Sequence, residues 1–391
     1  MRNIKIPRWR YIICFLIFYI LSGSPYMTVY SNIRNIIYIG ILLLVLSLNL
    51  RIRNKTEIEN ETILISLCLI CIIIGLIHNE AIMLYISLCA TFVFSYLFSK
   101  ACSMKYFVKI FQEIFIRISI VDLLFYFVLQ YIGQFSVFPE IVNSNGVVYK
   151  IGFIFNYMKN VPIRNCGVFW EPGLYATAII ISLLFEYVFV ERMSYFRIIV
   201  LHICMFTTFS SAGIVLLLIC DLLLLKEILY KFMEKRIAIV VLSVFLVALV
   251  ILLLNSDSVL IALGLNNHEF YYKLMSSNTK NSSRVLAISH NMELFRTNPL
   301  LGAGIVKSYA NTHLVEDTST TTFMMSELGI IGVIPTIGII YSVFNQHISY
   351  IEKIIIVVML LIIINKEPHM NLVLIWTLMF YMINEKIKDD G

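Results

Sequence analysis

The chain has 391 residues, of which 60% are hydrophobic and only 14% charged, with a formal net charge of +6. Ordinary soluble domains carry about 25% charged residues, so the polar surface needed to cover a water-soluble globule is missing and the solvent must be lipid. The modest positive charge matches the Lys/Arg excess of cytoplasmic loops in membrane proteins and requires no nucleic-acid partner.

In chain order, apolar stretches near the length of a membrane span lie at 11–22, 33–50, 62–77, 81–99, 110–132, 173–190, 198–209, 213–225, 237–254, 326–344, 354–365 and 370–384. They predict an all-α, polytopic membrane bundle of about twelve transmembrane helices, with residues 1–391 forming a single integral membrane domain. The first stretch follows Met1, Arg2, Lys5, Arg8 and Arg10 as a signal peptide would. No small-residue cleavage site follows, so it is read as an uncleaved helix. Arg51, Arg53, Lys55, Lys100, Lys105, Lys109, Arg192, Arg197, Lys226, Lys231, Lys235, Arg236, Lys353, Lys386 and Lys388 fall on one side of these spans. The short loops of the other side hold little beyond Arg34 and Lys366. The positive-inside rule then places both termini in the cytoplasm and the chain in the cytoplasmic (inner) membrane.

The cysteines, Cys14, Cys68, Cys71, Cys89, Cys102, Cys166, Cys204 and Cys220, sit in apolar runs except Cys166, which excludes an outer structural disulfide. The C-x-x-C of Cys68 and Cys71 lies mid-helix and reads as packing. No histidine has metal-ligand spacing, so neither a metal nor a cofactor is expected. Glu113 and Arg117 stand four apart on one helical face and should pair, with Asp122 deeper in the same span.

Two segments are long, 133–172 and 255–325, both on the outer (periplasmic) side. Ordered loops of that length on one face are where function concentrates. Nucleotides are scarce there, so bond-making would need a substrate that arrives already activated. The first loop ends in Arg164-Asn165-Cys166-Gly167-Val168-Phe169-Trp170-Glu171-Pro172-Gly173. Pro172 suits a first helical turn and Glu171 faces the positive end of the helix dipole. Phe169 and Trp170 read as interfacial aromatics. Arg164, a permanent cation with a forked set of donors, suits phosphate.

Phe206 to Gly213 separates two apolar arms of only about twelve residues, so this hairpin should dip into the bundle with its Ser/Gly tip buried near the outer face. In the second loop Val285, Ile288, Met292 and Phe295 recur at helical spacing, with Ser282 or Ser283 as cap and Asn298-Pro299 as stop. An amphipathic surface helix is expected, its first turn and Arg284 offering an anion site. Arg296 lies about 18 Å further along that helix, too far to share the same diphosphate. Gly302-Ala303-Gly304 reads as a turn, His313 as a candidate general base, and Glu327 as a helix-start carboxylate.

Together Arg164 to Gly173, Thr208 to Gly213, Arg284 to Gly304, His313 and Glu327 to Gly332 resemble the O-antigen polymerase and O-antigen ligase superfamily. The resemblance covers roughly 160–335 and rests on motif order and outer placement. It implies a type C glycosyltransferase-like fold and metal-independent glycosyl transfer outside the cytoplasm. It implies as partners an undecaprenyl-pyrophosphate-linked glycan, membrane lipid, a chain-length regulator and a flippase. Its site residues here would be Arg164 and Arg284 on the pyrophosphate, with His313 and Glu171 in the catalytic roles. Family members typically carry an Arg in the hairpin where this chain has Ser211, so one phosphate ligand is missing. Ligases usually follow the histidine with Asn, whereas His313 precedes Leu314, which favours a polymerase of O-antigen or capsule over the ligase alternative. A flippase is the second alternative; it would want an inverted repeat, and none is seen.

Overall fold

The computed structural model describes residues 58–232, with short breaks at 81, 133–137, 143–145, 153–154, 160–162 and 191, together with 283–310, 319–366 and 372–385. Apart from single positions, the expected spans 11–22, 33–50 and 237–254 lie outside the described residues.

The chain is mostly helical. In order come α1 (Ile58–Ile77), α2 (Ile82–Ala101), α3 (Met104–Ile132), a three-stranded sheet, α4 (Pro172–Leu184), α5 (Tyr195–Thr207) and α6 (Ser211–Phe232). Then follow α7 (Ser283–Thr297), α8 (Ile305–Ala310), α9 (Thr320–Leu328), α10 (Ile334–Phe344), α11 (Tyr350–Lys366) and α12 (Val373–Asn384). A π-helical turn, Phe185–Phe189, extends α4, and a 3-10 turn, Gly329–Val333, joins α9 to α10.

Among the described residues four helices are long and apolar enough to cross a membrane: Ile82–Ala101, Met104–Tyr131, Pro172–Phe189 and Thr320–Phe344. They give the chain the character of a multi-pass membrane protein, and they correct the expectation of about twelve spans. The reason is length and charge. The stretches read at 198–209 and 370–384 fold as α5 and α12, of 13 and 12 residues. Such helices rise only about 18–20 Å, short of the ~30 Å core. The stretch at 213–225 belongs to α6, which carries Asp221 and Lys226. Apolar composition says that a segment avoids water; it does not say whether lipid or protein covers it.

The all-α expectation is corrected as well. Within the long segment 133–172, β1 (Glu140–Val142), β2 (Val148–Ile151) and β3 (Asn156–Met158) form an antiparallel meander in the order β1-β2-β3. Glu140 pairs in register with Lys150, and Tyr149 with Met158. The sheet sits on the end of α3, where Phe155 stacks on Phe125 at 4.5 Å and Phe155 and Tyr157 bury against Tyr126 and Leu129.

The core is an aromatic column. Phe107, Phe111 and Phe115, each four residues apart, share one face of α3. Phe107 stacks on Tyr381 of α12 at 5.1 Å, Phe111 meets Phe185 at 5.3 Å, and Phe115 meets Tyr175 of α4 at 6.1 Å. Phe169 continues the column by stacking on Tyr175 at 5.9 Å and is buried. It is therefore a core residue and not the interfacial aromatic expected.

Candidate functional site

The bundle has two ends. At one, Met104 N–H donates to Glu385, Lys226 pairs with Glu352 at 2.7 Å, and Arg197 pairs with the buried Glu186 at 2.9 Å. At the other, α1 turns into α2, α4 begins, α5 turns into α6, and α11 ends. The described parts of the sequence motifs all lie at this second end.

Depth follows from helix rise. Asp122 stands 18 residues after Met104, about 27 Å along α3, and the 18-residue helix Pro172–Phe189 covers the same span. The start of α4 therefore lies level with Asp122, and α3 runs a further ten residues beyond both to carry the meander. The segment 163–171 comes back to this level, at the end of α4 opposite Phe189. Irregular backbone packed against an apolar bundle needs protein partners for its polar groups. It is covered: Asn165, Cys166, Val168 and Phe169 are all buried.

What holds this segment is the tip of the α5–α6 hairpin. Arg164 Nε donates to Thr208 O at 3.1 Å, and Asn165 N–H to Thr207 O at 2.9 Å. The Asn165 side chain is fully used. Its Nδ2 donates to Asp122 Oδ2 at 2.7 Å and to Thr207 Oγ1 at 3.2 Å, while its Oδ1 accepts from Gly167 N–H at 2.8 Å. Tyr126 OH donates to Ile163 O at 2.6 Å, and Asn156 Nδ2 to Gly167 O at 3.2 Å. Thr208 and Ser210 are buried, and Thr208 Oγ1 accepts from Ser210 N–H. Glu171 is the N-cap residue of α4, its carbonyl accepting from Tyr175 N–H at 3.2 Å. Burial raises the Cys166 thiol to about 12, with Arg164 lowering it and Glu171 raising it to smaller extents.

The second loop forms a turn that interlocks with the Glu327 to Gly332 segment. Ala303 N–H donates to Ser326 O at 2.7 Å, Gly304 N–H to Glu327 O at 3.2 Å, and Ile330 N–H to Pro299 O at 2.8 Å. Only glycine fits at 302 and 304. Both have positive φ, +70 and +90, and an added Cβ would lie 2.2 Å from Glu327 O at the first and 2.4 Å from Glu80 Oε1 at the second. The α1–α2 turn grips the same structure. Glu80 Oε1 accepts from Val306 N–H at 3.0 Å, Tyr85 OH donates to Glu80 Oε2 at 2.7 Å, and Ile305 N–H donates to Tyr85 OH at 3.2 Å.

Of the expected site residues, Arg164 and Glu171 flank the buried stretch that holds Cys166, the first against the hairpin tip and the second as the N-cap of α4. Arg284 lies in the first turn of α7, and its side chain is outside the described part. His313 lies outside the described residues. Arg296 is exposed at the far end of α7. That helix buries Ala287 and Asn291, with Asn291 Nδ2 donating to Thr322 Oγ1 at 3.4 Å, whereas Ile288 is exposed. Glu327 is buried inside α9 instead of leading a helix, because α9 already begins at Thr320. Sequence reasoning missed Asn165, Glu80, Tyr85, Asn365 and Lys366. A carboxylate within a span was the one available signal for Asp122. Among the described residues no three His, Cys, Asp or Glu side chains form a group that could hold a metal ion. Comparison with models of protein families, with curated proteins and with solved structures finds no match for this chain.

Proposed function

We propose that the chain is a membrane glycosyltransferase that joins polyprenyl-pyrophosphate-linked oligosaccharide repeat units into a surface polysaccharide at the outer face of the cytoplasmic membrane. The observation that carries this reading is Arg164, its Nε held by a carbonyl of the hairpin tip at the end of the bundle where α4 begins, with Glu171 at the other end of the same buried segment. In the reaction a hydroxyl of one glycan attacks the anomeric carbon of another, the bond to the diphosphate breaks, and the polyprenyl pyrophosphate leaves with the electron pair. Arg164 and Arg284 hold that diphosphate as its charge grows, and His313 or Glu171 takes the hydroxyl proton. Both charges of this first half-site sit on backbone locked by buried hydrogen bonds, which favours a preorganised site.

The orientation belongs to the same proposal. Lys100, Lys105, Arg192, Arg197, Lys226 and Lys353 collect at the end opposite this site, which the positive-inside rule assigns to the cytoplasm. The test is deletion of the gene followed by gel analysis of the surface polysaccharide. A single repeat unit on the lipid anchor is the expected result. Full-length polymer would refute glycosyl polymerisation, and a complete absence of attached glycan would indicate a ligase or a flippase.

A further inference from the structure

We propose that Asp122 is a positioning residue for Arg164, acting through Asn165 and not by contact with substrate. Asp122 comes from α3, 43 positions before Asn165, and its side chain is 1% exposed, as is that of Asn165. Asp122 Oδ2 accepts from Asn165 Nδ2 at 2.7 Å. The other bonds of Asn165, to Thr207 and to Gly167, turn the chain sharply just after Arg164. Arg164 Nε meets Thr208 O, the residue next to the one that Asn165 binds. The carboxylate thus fixes an amide, the amide fixes a loop to the hairpin tip, and the loop sets where the guanidinium stands.

A buried carboxylate at this depth is costly, and helix packing does not require it, since an apolar residue would fill the position. An apolar side chain at 122 would leave the buried Asn165 amide one acceptor short, so what the position supplies is a hydrogen-bond acceptor. Tyr126, one turn further along the same face of α3, donates to Ile163 O and holds the residue before Arg164. Asp122 is too buried to reach a glycan hydroxyl, so a direct role as base is excluded by geometry.

The native thiol of Cys166 lies inside this loop and is 0% exposed, which makes it a reporter that does not depend on the activity. The full-length protein in lipid nanodiscs is treated with a membrane-impermeant maleimide, and labelling is read peptide by peptide by mass spectrometry. Asp122→Leu should speed labelling of Cys166 on the order of tenfold, the effect of one hydrogen bond, while Cys204 and Cys220, also 0% exposed, stay protected. Asp122→Asn keeps an acceptor for the Asn165 amide and should restore protection. Asn165→Ala should behave as Asp122→Leu, and it carries the test if Asp122→Leu labels at Cys204 and Cys220 as an unfolded chain would. The functional arm rests on the glycosyl-transfer reading: kcat should fall on the order of tenfold in Asp122→Leu with KM for the lipid-linked donor little changed, and recover in Asp122→Asn. Protection of Cys166 in both Asp122→Leu and Asn165→Ala would overturn the proposal. So would an Asp122→Asn variant as impaired as Asp122→Leu, which would assign the carboxylate a proton or charge role. Altered labelling in a protein whose wild type transfers no sugar would leave the positioning intact and refute only the proposed function.

Discussion

Lys366 Nζ, at the end of α11, donates to the carbonyl of Gly173 in the first turn of α4 across 2.8 Å. The residue before it, Asn365, accepts from Ser319 Oγ at 2.8 Å and from Thr321 N–H at 3.3 Å at the start of α9. One helical turn therefore ties down the points where both long loops re-enter the bundle. Lys366 is buried, and its charge sits at the C-terminal end of its own helix, where the dipole favours it. The relative placement of the two loop ends is thus fixed through the last turn of α11.

On the proposed function, Arg164→Lys and Arg284→Lys should each lose a hundredfold or more in polymerisation rate. The forked donor geometry is lost although the charge remains, and one donor aimed at a developing anion contributes about 2.7–4 kcal/mol. Arg296→Ala, at an exposed position remote from the first turn of α7, should be mild. Polymer yield at matched membrane abundance measures all three. A dead Arg296→Ala beside active Lys variants would remove the assignment.

Gly302→Ala should destabilise the second-loop turn more than Gly304→Ala. Both substitutions force a side chain into positive φ, at roughly 1–2 kcal/mol. At 302 the Cβ meets the backbone of Glu327, which cannot move alone, whereas at 304 it meets the side-chain end of Glu80, which can swing away at the cost of its bonds to Val306 and Tyr85. Overpacking adds about 1–3 kcal/mol where the neighbour cannot give way. Thermal unfolding in detergent should rank the two in that order, and the reverse order would contradict the geometry.

Tyr85→Phe should loosen the contact between the α1–α2 turn and the second loop. The hydroxyl both donates to Glu80 and accepts from Ile305 N–H, so its removal leaves two groups one partner short, at about 1–3 kcal/mol. Hydrogen exchange at the amides of Ile305 and Val306 should rise, while exchange within α9 stays slow. Unchanged exchange at both amides would mean that the clamp is not a constraint.

The meander should respond to acid. Lys150, at 2.7 Å, and then Lys159, at 3.3 Å, hold the exposed Glu140 carboxyl below its ordinary value. A group whose folded pKa is lowered contributes stability that is present above its unfolded value and is lost as pH falls through the folded one. Exchange of the β1 and β2 amides should therefore accelerate as pH drops below about 4.3, after correction for the intrinsic rate, and high salt should blunt the effect. Glu140→Gln should abolish this pH dependence; its persistence would assign the response to another group.

Composition alone settled that lipid is the solvent, because too few charges exist to cover a globule. Local spacing settled the start of α4 at Pro172 and the end of α7 before Asn298-Pro299, since helix periodicity and proline chemistry act within a few residues. Motif order drew attention to Arg164, Glu171 and the Thr208 hairpin. Only the tertiary structure decided which apolar segments are long enough to cross, because hydropathy rewards burial in protein and exposure to lipid equally. The same ambiguity turned Phe169 from an expected interface residue into core, and the meander stayed hidden because three short strands carry too little periodic signal. The bonds from Asn165 to Asp122 and from Val306 to Glu80 join residues 43 and 226 positions apart. A hydrogen bond of that range leaves no trace in local sequence, since its geometry exists only after the helices between its partners have packed.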